Sequence, residues 1–478
     1  MLRRILPLTA LLLAGAPLAH ATDLWQVWQL AKANDPAFQQ ALANRNASMQ
    51  AKPEAWAQLL PSIDLNASRT WDNRTGEQLS IYSNPPANIK STSNTRNTQW
   101  GATLTQTLFN WQQIKSVQGA DHSVAEAEAT YEAALQGLIV SVSQAYFNVL
   151  NAQDILNADM ANMKALSKQY EQSQQQYKVG LIAITGVKEA EAGYDQAKAQ
   201  VITDRQSLAQ AREGLRAITG RYIPDLDSPR EKLPLQSPQP ENAASWVQQG
   251  LQSNPNLIAS QEAQKVAESQ VSQQEGGYLP SVNLVLQHTR TSSTGHGSID
   301  NPSSQFPSSS NGSDSQIGLQ LSWNIFSGGA TRALTKQYRY QADSAMAQEI
   351  SQRRSVEQQV RNAYLAVLSG IASVQANRQS VEASQVSLKA TEAGLKVGTR
   401  TTLDVLTARN TLLNSQKAYY NARYTYMIAV LQLEQAAGTL NSKDLQRLND
   451  WLTPARSPAP PTETGTLAAP AGTMGSAD

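Results

Sequence analysis

Side chains that could perform chemistry are few in this sequence of 478 residues. It contains four histidines and no cysteine, so disulfides and thiolate metal sites are excluded. His122 lies in a long predicted helix, and His288 and His296 lie at a strand end and in a loop. No metal-site spacing, phosphate loop or nucleophile elbow accompanies them. The sequence therefore predicts a protein that is not an enzyme and uses no metal or cofactor.

Asp404 is the acidic residue with the most informative position. It follows Thr401 by three residues at the start of a predicted helix, which is the spacing of a capping box. Spacing alone favours this local role.

Just upstream, Gly398 in the segment VGT predicts a helix that ends with a positive φ, and Gly180 in VGL predicts the same. Threonines just beyond each glycine are expected to cap the next helix.

The two glycine turns belong to an internal duplication. The segment AYFNVL (145–150) matches AYLAVL (363–368) at an offset of 218 positions, which also separates Gly180 from Gly398. Such repeats indicate two copies of one structural unit. The predicted organisation is repeat one at 23–220, a Pro-rich linker at 221–240, repeat two at 241–438 and a short closing segment at 439–453.

Long helices are predicted from runs of strong helix formers. They cover about 112–178 and 186–219 in repeat one, and about 330–396 and 402–437 in repeat two. At the helical rise, the longest spans roughly 100 Å. Helices of this length need partners alongside them, as in a coiled-coil tube.

Four segments alternate apolar and polar residues as strands do. They cover about 62–72, 98–109, 280–290 and 315–326. Any one segment alone favours an ordinary soluble strand, but four of them in a chain that begins with a signal-peptide pattern (residues 1–21) favour tilted membrane strands. Four strands cannot close a barrel and an open edge cannot face lipid, so closure requires other chains. Two chains would give an eight-stranded barrel, whose interior is filled by side chains. A conducting pore therefore favours three chains and twelve strands.

Aromatic residues mark both ends of the predicted strands, as two membrane-interface girdles require. The predicted girdle residues are Trp71 and Trp100 at the loop-proximal ends, and Phe109, Trp111, Trp323 and Phe326 near the helix-proximal ends. The connecting loops, 73–97 and 292–314, are rich in Asn, Ser, Thr, Pro and Gly and are predicted to be exposed to solvent.

Residues 1–21 have the pattern of a secretory signal peptide. Arg3 and Arg4 precede an apolar run that ends in Ala19-His20-Ala21. Without them the chain has 37 basic and 38 acidic residues, which gives no support for nucleic-acid binding. No later stretch is expected to approach the roughly 20 apolar residues of a membrane helix. The Pro/Ala/Thr/Gly-rich tail at 454–478 is predicted to be disordered.

Several segments together resemble the TolC family of outer-membrane channel-tunnels. They are YKVGLIAITGVKEAEAGYDQA, LRAITGRYIPDL, VGTRTTLDVLTARNTLLNSQ and GTLNSKDL. The resemblance covers about 23–452. It implies a membrane α+β homotrimer with a 12-stranded β-barrel in the outer membrane, continuous with a 12-helix periplasmic α-barrel. It also implies docking of a periplasmic adaptor (membrane fusion protein) and an inner-membrane pump or ABC transporter, for export of drugs or secreted proteins.

The resemblance also assigns functional residues. The implied adaptor-contact tips are Val179, Gly180, Leu181, Val397, Gly398 and Thr399. Plain hairpin turns would explain the glycines and the threonine, but not apolar flanks on an exposed tip. The implied gate residues are Thr185, Arg400 and Asp404. In the family the arginine joins neighbouring helices across a closed mouth, and the aspartate forms a ring of three at the axis, a role compatible with helix capping.

Three positions depart from the family pattern. Gly186 and Thr407 stand where aspartates are expected, and Leu395 stands where a tyrosine is expected. These departures predict a less tightly latched mouth and weaker block by multivalent cations. Two alternatives remain. A periplasmic structural coiled coil would leave the strands without a role, and a passive porin would not need roughly 100 Å of helix below the membrane.

Overall fold

The computed structural model describes residues 22–80, 85–230, 232–299 and 305–453. The predicted signal peptide (1–21) and the predicted tail (454–478) lie outside these residues. The helices are α1 Leu24–Asn34, α2 Pro36–Ser48, α3 Ala51–Ala57, α4 Trp111–Lys178, α5 Ile184–Thr219, α6 Ala243–Ser253, α7 Pro255–Glu275, α8 Ala330–Lys396, α9 Thr402–Ala436 and α10 Ser442–Asn449. The strands are β1 Ser62–Ser80, β2 Ala87–Phe109, β3 Ser228–Pro229, β4 Ser281–Ile299, β5 Gln305–Ser322 and β6 Leu452–Thr453.

Two long helical hairpins form the body of the chain. Helix α4 has 68 residues and α8 has 67, so each spans about 100 Å. Helix α5 returns along α4, and α9 returns along α8. Helix α7 packs between α4 and α8, and therefore joins the two hairpins on the side nearer the strands.

Matching backbone geometry supports the duplication at the level of single residues. Helices α2 and α7 both begin with proline after an N-cap residue with φ −67° and ψ 119°, Asp35 in one and Asn254 in the other. Proline is favoured at this first helical position because its missing N–H is not needed there. At the far end of each repeat, Gly220 and Gly438 have φ of 71° and 72°.

The main hydrophobic core lies midway along the long helices. Tyr146 and Phe147 of α4 and Tyr426 and Met427 of α9 are fully buried there. Helices α1, α6 and α10 and the β3–β6 pair surround this point, and together with the core we call them the equatorial belt. The Tyr146 hydroxyl donates a hydrogen bond to the Asp227 carbonyl at 2.8 Å, so the segment between the repeats is part of the belt.

Helix α4 corrects one sequence-based expectation. Among the described residues, it alone contains a stretch long and apolar enough to cross a membrane by length and composition, with a hydropathy of 1.3. More than half of that stretch, 56%, is buried within the fold. Apolar side chains of α4 such as Ile139 and Val142 pack in the core, and this packing accounts for an unusually apolar helix.

The sheet is antiparallel with the order β1-β2-β4-β5. Its strands are longer than predicted: β1 continues to Ser80, β2 begins at Ala87, and β4 and β5 extend to Ile299 and from Gln305. Most of the predicted loops 73–97 and 292–314 is therefore strand. The hydrogen bonds between neighbouring strands join backbone N–H and C=O groups and do not require apolar side chains, so a polar sequence can extend a sheet.

One face of the sheet carries an apolar row that crosses all four strands. Ile63 pairs with Leu104, Leu104 with Leu286, and Leu286 with Ile317. Closer to the helices, an irregularity between Thr107 and Phe109 shifts the register. Its consequence is that Phe109, and not Leu108 as the simple alternation predicts, pairs with Val282 in the next apolar row.

The predicted girdle residues lie at different points of the strands. Trp71 and Trp100 are within β1 and β2, well short of the strand ends, which corrects their predicted place beside the loops. Trp323 and Phe326 follow the end of β5 at Ser322 and are exposed, so the predicted strand to 326 is too long. Phe109 closes β2, and Trp111 opens α4.

Candidate functional site: the two helical tips

The first tip joins α4 to α5 by a turn built on Gly180. Gly180 has φ of 78°, a left-handed conformation that costs glycine little. Its N–H donates to the Tyr177 carbonyl at 2.9 Å, and the Leu181 N–H donates to the Gln176 carbonyl at 2.8 Å. This pair of bonds is a Schellman motif, which satisfies carbonyl groups at the helix end.

The second tip, between α8 and α9, has the same geometry. Gly398 also has φ of 78°. Its N–H donates to the Leu395 carbonyl at 3.1 Å, and the Thr399 N–H donates to the Gly394 carbonyl at 2.9 Å. The preceding residues agree as well, since Val179 and Val397 have φ of −100° and −98°. The two tips are therefore one structural element made twice.

Both tips present apolar side chains to solvent. Val179 is 69% exposed, Leu181 73% and Val397 75%. A hypothetical Cβ at Gly180 or Gly398 would meet no atom within 4 Å, so the chain packs nothing against these turns. Exposed apolar residues at the end of a projecting hairpin are a feature of protein-binding surfaces.

A capping box begins α9. The Thr401 hydroxyl accepts from the Asp404 N–H at 3.1 Å, and Asp404 Oδ2 accepts from the Thr401 N–H and from its hydroxyl, each at 2.9 Å. Helix α5 differs, because its N-cap is Ala183 without a side-chain bond. Thr185 lies inside the first turn of α5, so the expectation that a threonine caps both return helices is wrong for α5.

The Asp404 carboxylate is held in its ionised form. Hydrogen bonds from the Thr401 backbone and hydroxyl, followed by the nearby Arg400 charge, lower the pKa of Asp404. The group is half-buried and reachable from solvent. Asp404 therefore serves as a helix cap and at the same time presents a negative charge close to the tip.

Arg400 folds back over the end of α8. A Cβ at Gly394 would lie 2.7 Å from Arg400 Cγ and 3.1 Å from Thr399 Oγ1. The missing side chain at Gly394 thus makes room for Arg400, a contribution that sequence reasoning missed. Thr185 and Arg400 are both exposed, and within one chain no hydrogen bond among the described residues joins Thr185 to Arg400 or Asp404.

One ion pair above the second tip was also not predicted. Arg409 of α9 lies 2.5 Å from the Glu392 carboxylate of α8, and it joins the two helices near the turn. The residues that depart from the expected pattern lie close by, with Leu395 half-buried and Thr407 exposed. Within the described ranges, no group of three or more His, Asp or Glu side chains is arranged to hold a metal ion.

Comparison with known families gives one match that spans both repeats. The profile of the family described as "Outer membrane efflux protein" matches residues 27–221 and 246–439. These ranges contain the four long strands β1, β2, β4 and β5, the long helices and both tips.

Individual relatives and solved structures agree with that match. The chain is 35% identical over 456 residues to "Outer membrane protein TolC" of Escherichia coli (strain K12), covering 94% of this chain and 90% of that protein. It is 26% identical over 457 residues to "Alkaline protease secretion protein AprF" of Pseudomonas aeruginosa, covering 95% and 92%. The crystal structure of the Campylobacter jejuni CmeC outer membrane channel superposes with a TM-score of 0.69 at 17% identity, covering 90% of each chain.

Proposed function

Since this chain belongs to the outer membrane efflux protein family, we propose that it forms an exit duct through which drugs, secreted proteins or both leave the cell. The family is one of outer membrane channels, and the chain is an outer membrane protein with a long periplasmic part. In the proposed assembly three chains combine their strands into one 12-stranded barrel, and twelve long helices continue it as a tube across the periplasm.

The observation that carries this proposal is the open sheet. Its outer strands, β1 and β5, each have a neighbour on one side only among the described residues, while an apolar row crosses one face. Unpaired strand edges are not tolerated in lipid. Pairing of β5 with β1 of the next chain removes every edge, and three chains leave an aqueous interior that two would not.

On β1, the stretch from Ile63 to Trp71 has about the height of a membrane, with Arg69 as the one charged residue on the same face. From Ile63 to Trp71 the strand rises about 27 Å, or roughly 20 Å along the normal at the usual tilt of about 40°. This agrees with the apolar band of about 25 Å in outer-membrane barrels. Beyond Trp71 the strands are polar, so we place their outer halves above the lipid, with Trp71 and Trp100 toward the outer interface.

Phe109, Trp111, Trp323 and Phe326 mark the proposed inner interface. Phe326 is 84% exposed and Phe109 is 36% exposed, and both lie where the strands give way to helices. The indole N–H of Trp323 donates to the Tyr278 carbonyl at 3.1 Å. An amphipathic ring with its polar edge satisfied suits a headgroup layer.

At the other end, we assign docking to the tips and gating to their flanks. Val179-Gly180-Leu181 and Val397-Gly398-Thr399 would contact a periplasmic adaptor that links the duct to an inner-membrane pump or ABC transporter. Arg400 and Thr185 would meet across neighbouring chains in the closed mouth. Three copies of Asp404 would form an acidic ring that attracts cations.

Conductance recordings in lipid bilayers test the channel and its gate together. The wild type should conduct, and multivalent cations added on the periplasmic side should block it. Asp404→Asn should relieve that block, whereas Thr401→Ala, which weakens the same capping box but keeps the carboxylate, should not. A wild type without current would overturn the duct, and unchanged block in Asp404→Asn would remove only the acidic ring.

Crosslinking tests the docking assignment. The sequence has no cysteine, so Leu181→Cys and Thr399→Cys introduce unique thiols at the tips. Each should crosslink to a periplasmic adaptor in cells, while Ser207→Cys, an exposed position of α5 near the belt, should not. Equal crosslinking at all three positions would reject specific docking by the tips.

A further inference from the structure

Three arginines surround Thr98 of β2 on the apolar face of the sheet, and we call Arg69, Arg96 and Arg290 the arginine cluster. Arg69 of β1 directly faces Thr98, and Arg96 is two residues from Thr98 along β2. On its other side Thr98 faces Ser292 of β4, and Arg290 is two residues from Ser292. Side chains alternate between the two faces of a strand, so all three arginines share the face of Thr98. Direct and diagonal cross-strand neighbours are about 4.5–8 Å apart, within reach of long side chains.

The positive charge of the cluster is not balanced nearby. All three side chains are exposed, and no carboxylate of the described residues forms an ion pair with any of them. Most described acidic residues of the sheet lie on the opposite face, namely Asp64, Asp72 and Asp314. Glu77 shares the face of the cluster, but it is eight residues beyond Arg69 along β1 and directly faces Lys90. The cluster therefore concentrates three positive charges that no described carboxylate offsets at short range.

Each member of the cluster contacts or directly faces a tryptophan. The guanidinium carbon of Arg69 lies 5.5 Å from the centre of the Trp71 ring. Arg96 directly faces Trp71, and Arg290 directly faces Trp100. In the proposed barrel both tryptophans lie toward the outer interface, where indole rings meet lipid head groups. The charged ends of the cluster therefore lie at the level of the outer head groups, which Arg69 reaches by extending its side chain toward Trp71.

The surroundings of the cluster define the kind of ligand that it fits. Guanidinium groups donate paired hydrogen bonds to phosphate oxygens. A phosphodiester carries one negative charge and would leave two of the three arginines unmatched, whereas two phosphate monoesters carry about −3 to −4. Hydroxyl and amide side chains that can bond sugar groups adjoin the cluster on the same face: Asn73, Thr98, Ser292, Thr294 and Ser313. On the other side the apolar row from Ile63 to Ile317 can contact acyl chains.

We propose that the arginine cluster binds the phosphate groups of a phosphorylated glycolipid in the outer leaflet of the outer membrane. The phosphates lie among the three guanidinium groups, the acyl chains lie against the apolar row, and the sugars meet the polar outer halves of the strands. This inference rests on the proposed barrel, because a barrel with the apolar face outward is what brings the cluster to lipid. Each chain contributes one such site, so the bound glycolipid holds the barrel at a fixed depth in the outer leaflet.

Native mass spectrometry of the purified protein in detergent counts bound lipid and tests the site. The wild type should bind diphosphorylated lipid A in preference to phosphatidylglycerol, up to one molecule per chain. Arg96→Gln and Arg290→Gln should each weaken lipid A binding by about tenfold, because each removes charged hydrogen bonds to phosphate. Arg96→Lys keeps the charge but loses the paired donors, so its affinity should lie between those of the wild type and Arg96→Gln. Arg74→Gln is the matched control, since Arg74 pairs with Asp72 on the opposite face, and it should bind as the wild type does.

Competition and lipid chemistry identify the source of the phosphate. Inorganic phosphate in large excess should not displace lipid A, and lipid A without its phosphates should lose the preference over phosphatidylglycerol. Displacement by inorganic phosphate, equal binding of lipid A and phosphatidylglycerol, or unchanged lipid A binding in the combined Arg96→Gln and Arg290→Gln variant would overturn the proposal.

The same preparations separate this site from the proposed function. The mass spectrum shows whether each variant is assembled as the wild type is, and conductance is recorded in bilayers that contain no lipid A. A wild type that conducts but shows no preference for lipid A overturns the glycolipid site alone. A wild type that passes no current overturns the duct.

Discussion

Replacing Gly398 with alanine tests the physical origin of the tip turns. Gly398 has φ of 78°, and a Cβ there would meet no atom within 4 Å. The substitution therefore creates no steric overlap, and its cost is the left-handed strain of a residue with a side chain, about 1–2 kcal/mol.

This cost should be confined to the tip. The strain opposes the two hydrogen bonds that close the turn, from the N–H groups of Gly398 and Thr399. We expect their local opening to become about 5–30-fold more frequent. Hydrogen exchange measured by mass spectrometry should therefore accelerate across 390–405, and the temperature of global unfolding should remain close to that of the wild type.

Two other glycines provide matched controls. Gly214→Ala lies within α5, with no positive φ and no atom within 4 Å of its Cβ, so it should stabilise the helix slightly. Gly438→Ala combines a φ of 72° with a Cβ only 2.2 Å from the Ser253 carbonyl oxygen and should disrupt the equatorial belt. Wild-type exchange rates in Gly398→Ala, or equal acceleration at the tip in Gly214→Ala, would refute the reasoning.

Three further outcomes are expected. Burial, followed by the charge of Asp444, raises the pKa of Glu434 to about 7, so the folded protein holds a proton that the unfolded chain releases. The free energy of unfolding should then fall as the pH rises from about 4.5 to 7. In Glu434→Gln, the unfolding temperature should no longer show this part of the pH dependence. Tyr424→Phe removes the 2.7 Å hydrogen bond to Asp154. It should lower the free energy of unfolding by about 1–3 kcal/mol, measured by chemical denaturation. Deletion of 454–478 should leave the oligomer intact on a native gel, and loss of the assembly would contradict a dispensable tail.

Local signals in the sequence were sufficient for the long helices and the tips. Helix propensity and the scarcity of breakers predicted α4 and α8 because nothing within those segments interrupts backbone hydrogen bonding. Gly180 and Gly398 marked the turns because positive φ selects glycine. The capping box was predictable because Thr401 and Asp404 are three residues apart and act within a single helical turn.

Features that depend on distant segments were not predictable in the same way. The outer halves of β1 and β2 have polar sequences typical of loops, and they become strands because backbone groups pair between neighbours whatever the side chains. The members of the arginine cluster come from three strands, and only the register between those strands brings them together. The role of Gly394 depends on how Arg400 folds back across the turn, a detail that composition does not contain.

The position of the equatorial belt determines how the periplasmic helices can swing. From Tyr146, in the belt, to the last residue of α4 at Lys178, the helix extends about 48 Å. A rotation of about 10° about the belt would therefore displace each tip by roughly 8 Å. In the proposed duct, a small bend of the long helices at the belt would therefore produce a much larger change in aperture at the periplasmic end.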